Sequence, residues 1–192
     1  MKKTFSQSFK SFFTEPRWEK VRGIFWFCLI TTIIHIVWRF WATTFTFFPI
    51  QNSISLISGF LVRQLMNEST FILRDVLNIK ITSFDNSIIT NNNVRLLLSD
   101  SASGLKQMIQ FAVLILFFPG PWKHKAWFIP LGVIIIHITN VFRILCLVVI
   151  AKHWPQQINY AHENWLRFMF YAVIFGLWLV WVEKISIKNS GR

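Results

Sequence analysis

The stretch Ala126–Ala151, AWFIPLGVIIIHITNVFRILCLVVIA, decides the class of this protein. It is apolar from end to end, carries one full charge at Arg143, and is long enough to cross the ~30 Å hydrocarbon core of a bilayer. The rest of the chain agrees. Of its 192 residues 54% are hydrophobic and 17% aromatic, against 15% charged, a balance that soluble domains of this size rarely show. The net charge of +12 would suggest nucleic acid in a soluble protein. Here the lysines and arginines flank the apolar runs, so they point to anionic lipid and to membrane orientation, and nucleic-acid binding is not expected.

Working outward, Trp165–Val182 is a second apolar run and is followed by a basic tail with Lys184, Lys188 and Arg192. On the N-terminal side, Ser103–Phe118 is a shorter run, joined to the first by the basic turn PGPWKHK. A further run covers residues 24–48, preceded by a basic, Phe-containing segment at 1–23 that suits a membrane surface. Residues 52–66 have helical spacing but are short for a span, and read as an interfacial or re-entrant helix. Residues 67–102 are polar. Within them NIKIT, SIIT and VRLLL read as short strands, divided by Asp85-Asn86 and Asn91-Asn92-Asn93. The expected fold is an all-α polytopic membrane protein: a bundle of about four full spans, one interfacial helix and a small β-like insert outside the membrane. It forms a single integral membrane domain over 1–192, with the last three spans in 103–183. The basic N-terminus, the Lys123/Lys125 turn and the basic tail belong in the cytoplasm. Residues 49–103 and 152–164 then fall together on the opposite face.

At that face, His137, Asn140 and Arg143 recur every three residues and make a polar stripe along one helix side. A charged Arg inside a span costs a few kcal/mol unless it faces the bundle interior and finds partners, so a structural and a functional role carry equal weight. His162, in NYAHENW, would by itself be a hydrogen-bonded bystander. Ser101 and Ser103, in DSASGLKQ, are ordinary caps for a helix starting at Gly104. Cys28 and Cys146 sit in apolar runs without metal-ligand spacing. Neither a metal site nor a cofactor is expected.

Taken in order, ASGLK at Ala102–Lys106, NVFR at Asn140–Arg143 and His162 resemble the signature of the exosortase/archaeosortase membrane transpeptidases. That signature is a Cys-Ser-Gly turn opening a transmembrane helix, an Asn-x-x-Arg in the next helix, and a His before the last. The likeness covers roughly residues 95–183. It implies that Ala102 occupies the position of the nucleophilic cysteine. Either a cysteine was replaced by design or the chain is a naturally inactive relative; intact Arg143 and His162 favour the former.

The resemblance further implies a Cys–Arg–His centre. A thiolate at 102 attacks a peptide carbonyl and forms a thioester, Arg143 holds the oxyanion, and His162 protonates the leaving amine. Ser103, Gly104, Lys106 and Asn140 support the site. The implied partners are secreted proteins with a C-terminal motif, a transmembrane helix and a basic tail, besides membrane lipids. The implied location is the bacterial cytoplasmic (inner) membrane, with both termini in the cytoplasm and the site on the outer face. The β-like insert at 78–98 is placed to shape the substrate groove. The alternatives are a non-catalytic relative that binds the same signals, and a structural or lipid-binding membrane protein.

Overall fold

In the computed structural model the described residues are 19–44, 49–84, 86–90, 94–118 and 120–186. Most of the basic segment at 1–23, the Asn91–Asn93 turn and the tail at 187–192 lie outside them. The chain falls into two units, 1–46 and 47–192. The first contains helix α1, Glu19–Thr44, whose Gly23–Val37 stretch is its apolar part. Ile24, Phe25, Trp26, Ile33, Ile36 and Val37 on it are exposed, an arrangement that costs little only in apolar surroundings.

The second unit opens with α2, Pro49–Phe71, which widens into a π-type turn at Ile72–Val76. The helix is longer than the segment expected at 52–66. Its buried positions Ser58, Val62, Leu65, Met66 and Ser69, continued by Leu73, keep one helical stripe running through the polar-looking NEST sequence. Thr70 also satisfies its hydroxyl on the helix itself, donating to the Met66 carbonyl at 2.7 Å. The polar composition of residues 67–71 therefore marks a helix end rather than a loop.

Three short strands follow: β1 Ile81–Phe84, β2 Ser87–Thr90 and β3 Arg95–Leu97. They form an antiparallel sheet in the order β1-β2-β3, with Ile81 opposite Thr90 and Ile88 opposite Leu96. The first strand starts three residues later than NIKIT suggested. Asn78 takes a left-handed conformation (φ 52°) and the Ile79 N–H returns to the Leu73 carbonyl at 2.8 Å, so these residues close the preceding helix instead. Ile81, Ile88 and Leu98 bury one sheet face against Val62, Leu65 and Met66 of α2.

A 3₁₀ turn at Asp100–Ala102 leads into α3, Leu105–Phe117, then α4, Trp122–His153. Short helical turns cover Pro155–Gln157, Ile158–Tyr160 and Ala161–Trp165, before α5, Leu166–Trp181. Helix α4 is central and packs on α2, α3 and α5. Among the described residues it alone is long and apolar enough to cross a membrane; α3, with 13 residues, and Gly23–Val37 are shorter apolar helices. At ~1.5 Å per residue α3 rises only about 20 Å.

One end of the bundle is aromatic. Phe128 lies 6.0 Å from Phe111 and 5.2 Å from Trp181 between ring centroids, and Phe118 meets Trp178 edge-on at 5.5 Å. The Lys123/Lys125 pair, expected in a loop, stands instead in the first turn of α4. Lys125 is buried there and donates to the Leu116 carbonyl at 2.7 Å, with its ammonium 4.8 Å from the Trp122 ring. It thereby satisfies a carbonyl that the last turn of α3 leaves without an intrahelical partner. A cation at a helix C-terminus is also favoured by the helix dipole.

Gly132 of α4 lies against α3, where an added Cβ would overlap the Phe111 ring. Gly132→Ala should lower stability by about 1–3 kcal/mol through overpacking. Gly176→Ala, where a Cβ meets nothing within 4 Å, should be neutral or slightly stabilising. Thermal unfolding of the two variants in detergent checks the difference.

Candidate active site

The Asp100–Gly104 turn is built almost wholly from backbone. Ser99 is extended, the Ala102 N–H bonds to the Ser99 carbonyl at 2.8 Å, and the Ser103 N–H bonds to the Asp100 carbonyl at 3.2 Å. Gly104 then takes a left-handed conformation (φ 78°) that reverses the chain into α3. Helix α3 begins at Leu105, and its first free N–H is accepted by the buried Ser103 hydroxyl at 3.3 Å. Ser103, expected as the cap, stands one residue before the cap position, which Gly104 takes.

Asn140 of α4 is fully buried, and its Nδ2 donates to the Ala102 carbonyl at 2.8 Å. That bond joins two of the sequence motifs directly. It also explains the glycine, since a Cβ at residue 104 would lie 2.9 Å from Asn140 Nδ2. Only glycine meets both demands there, the positive φ and the close approach of Asn140.

One turn along α4, Arg143 is half-buried with its guanidinium carbon 5.7 Å from the Phe170 ring of α5, a cation–π contact. Asn140 and Arg143 share a helix face by their spacing of three. The backbone of His162 lies in the Ala161–Trp165 turn, which packs on α4. Its side chain lies outside what is described. Leu166, four residues on, belongs to the same buried cluster as Val141 and Ile144. Lys106 is half-buried in the first turn of α3.

The third member of the polar stripe belongs elsewhere. His137 Nε2 meets the Glu68 carboxylate of α2 at 2.8 Å. The sequence reading missed this pair because Glu68 stood in what looked like a loop; extending the helical stripe of α2 through residue 69 would have brought it alongside α4.

Ala102 is half-buried and offers only a methyl group. Cys146 is partly buried and packs against the core cluster, so it does not stand in for a nucleophile. No three metal-ligating side chains gather among the described residues.

The model of the transmembrane exosortase family (Exosortase_EpsH) matches residues 20–181, nearly the whole chain. The chain belongs to the exosortase family. Neither a curated protein nor a solved structure matches it. Membership makes this a chain of a membrane family of the transpeptidase and cysteine-protease kind, which acts on secreted proteins with C-terminal sorting signals.

In this exosortase-family chain, Asn140→Ala should leave the Ala102 carbonyl without its donor, at a cost of about 1–3 kcal/mol. Gly104→Ala should add the left-handed penalty of an ordinary residue, about 1–2 kcal/mol, and push Asn140 away. Both should raise amide exchange over residues 99–108 by about tenfold or more, as 1.4 kcal/mol is tenfold in an opening equilibrium. Thr139→Ala, whose hydroxyl bonds only within α4, should leave it unchanged. Hydrogen exchange read by mass spectrometry checks all three.

Proposed function

We propose that position 102 is the nucleophile position of an exosortase-type centre with Arg143 and His162, and that Ala102 makes this chain a form that holds its substrate without cleaving it. The observation that carries the reading is the hydrogen bond from Asn140 to the Ala102 carbonyl, because it fastens the Asn-x-x-Arg helix to the Ser-Gly turn.

With cysteine at 102, the thiolate adds to the scissile carbonyl carbon beside the start of α3. The positive end of that helix favours the thiolate, and Lys106 adds charge within its first turn. Negative charge builds on the carbonyl oxygen, where Arg143 holds it. The C–N bond then breaks, His162 gives the departing amine its proton, and a thioester remains. An incoming nucleophile attacks the thioester and releases the acyl group as a new conjugate. Ser103, Gly104 and Asn140 hold the turn.

In the same proposal the chain crosses the membrane four times, at 24–48, 103–118, 126–151 and 165–182, with both termini in the cytoplasm and position 102 at the outer face. Support comes from the basic N-terminus and tail. The substrate is a secreted protein whose C-terminal motif precedes a transmembrane helix and a basic tail. Alanine at 102 also suits a relative that only retains such signals, and one experiment separates the two.

Ala102→Cys, co-expressed with a reporter carrying a C-terminal motif, transmembrane helix and basic tail, should convert the reporter to a shorter or conjugated product. Adding Arg143→Ala should slow conversion by about 10²–10³-fold, the usual loss on removing an oxyanion donor. Immunoblotting of the reporter reads both. A membrane-inserted Ala102→Cys chain that leaves every reporter intact would point to the retaining relative instead.

A further inference from the structure

The small sheet has two edges, and they are treated differently. Three hydrogen-bonded pairs fix which groups point where. The Thr90 N–H bonds to the Val94 carbonyl at 3.1 Å, and the Leu98 N–H bonds to the Asn86 carbonyl at 2.8 Å; Ile88 and Leu96 face each other midway between them. In an antiparallel ladder such pairs alternate, so Val94, Leu96 and Leu98 turn their backbone groups toward β2. Arg95 and Leu97 therefore turn theirs outward. By the same alternation Ile81 and Ser83 point outward on β1.

The β1 edge is covered at one carbonyl. Arg74, from the turn after α2, donates from Nη2 to the Ile81 carbonyl at 3.3 Å and to the Ser83 hydroxyl at 3.2 Å. The β3 edge has no such cover: among the described residues nothing hydrogen-bonds the outward N–H and C=O groups of Arg95 and Leu97. Both residues are exposed, Leu97 to 66%. An open strand edge is a template for another extended chain, and proteins usually blunt it. Here Arg74 covers part of one edge and, among the described residues, nothing comparable covers the other. The bare edge is also the one that runs into the candidate active site. Leu97 is five residues before Ala102, a reach of at most about 17 Å even if fully extended.

We propose that the open edge of β3 is a docking strand for the extended peptide segment that precedes the scissile bond of the substrate. The inference rests on the function proposed above. The segment pairs with Arg95–Leu97 through main-chain hydrogen bonds, the mode by which many domains take up a peptide as an added strand. It runs parallel to β3, because both chains head toward position 102. The secreted part of the substrate then lies on the sheet, and its own transmembrane helix follows the scissile bond. The sheet positions the substrate carbonyl, and the turn at 102 acts on it.

The experiment uses the full Ala102→Cys chain and the reporter described above. Leu97→Pro removes an outward N–H while sparing the bonds to β2, which proline tolerates at a sheet edge. It should slow reporter conversion about fivefold, the effect of losing one main-chain hydrogen bond. Leu97→Thr, which keeps the N–H, should stay within about twofold, less than one such bond. Ser83→Pro on the β1 edge should also convert normally. As a second readout, the unaltered Ala102 chain carrying a p-benzoylphenylalanine photocrosslinker at position 97 should capture the reporter, and the same probe at position 82 should not. Normal conversion by Leu97→Pro overturns the docking strand while leaving the cleavage function standing. If Leu97→Pro fails to accumulate in the membrane, the photocrosslink decides: capture at 97 supports the docking strand, and no capture overturns it. If the Ala102→Cys chain itself converts no reporter, the cleavage reading fails and the photocrosslink alone decides the docking strand.

Discussion

The bond between Asn140 and the Ala102 carbonyl is the constraint around which the rest of this molecule is arranged. A fully buried amide in the middle of an apolar helix is destabilising unless its groups are paired. Asn140 meets that requirement at Nδ2, by donating to a turn contributed by a different part of the chain, while its Oδ1 has no hydrogen-bond partner among the described residues. The turn must then bring its backbone within hydrogen-bonding distance of α4, and it can do so only if residue 104 has no Cβ and adopts a positive φ. One polar residue in α4 thus dictates a glycine thirty-odd positions earlier, the reversal of chain direction there, and the starting point of α3.

That bond could not hold if α4 were free to shift. Its other half is fixed by the aromatic end, where Phe111, Phe118, Phe128, Trp178 and Trp181 interlock, and by Gly132, which lets α3 close on α4. Lys125 ties the last turn of α3 to the first turn of α4 through a carbonyl. At the opposite end, α2 and the sheet pack on Val141, Ile144, Leu147 and Val148 of α4. The His137–Glu68 contact lies on the side of α2, so α4 is held on several sides before its Asn140–Arg143 face is reached. Packing of this density resists gradual deformation, which is what a turn relying on one side-chain bond needs.

How much of this was legible in the sequence depended on whether the signal was local. The apolar length of α4, the spacing of Asn140 and Arg143 and the Ser-Gly turn are local patterns, and each was found where the structure has it. The second and third strands were readable too, because β-branched and apolar runs were bounded by turn residues. Three features were hidden for a shared reason: each depends on a partner outside its own element that no local pattern marks, whether distant in sequence as for Glu68 or near it as for Lys125 and Arg74. Glu68 looked solvated until α2 proved to continue to residue 71, which lets it meet His137. Lys125 looked like a loop charge because its partner, a backbone carbonyl, has no sequence signature. Arg74 stands in the polar segment after α2 with no sequence sign that it covers a carbonyl at the β1 edge.

The residue at 102 illustrates the converse case, in which chemistry can change without any change of structure. Its amide and carbonyl are both engaged, one with Ser99 and the other with Asn140, and neither bond involves its side chain. The left-handed glycine and the Ser103–Leu105 bond are equally indifferent to what Cβ at 102 carries. Replacing a sulfhydryl by hydrogen there removes a reactive atom from a half-buried position and leaves every described hydrogen bond of the turn in place. In the function proposed above, a scaffold of this kind separates holding a substrate from acting on it. Arg143, the β3 edge and the turn can retain their geometry whichever residue stands at 102, so in that same proposal recognition and reaction would be set by different atoms of the same few residues.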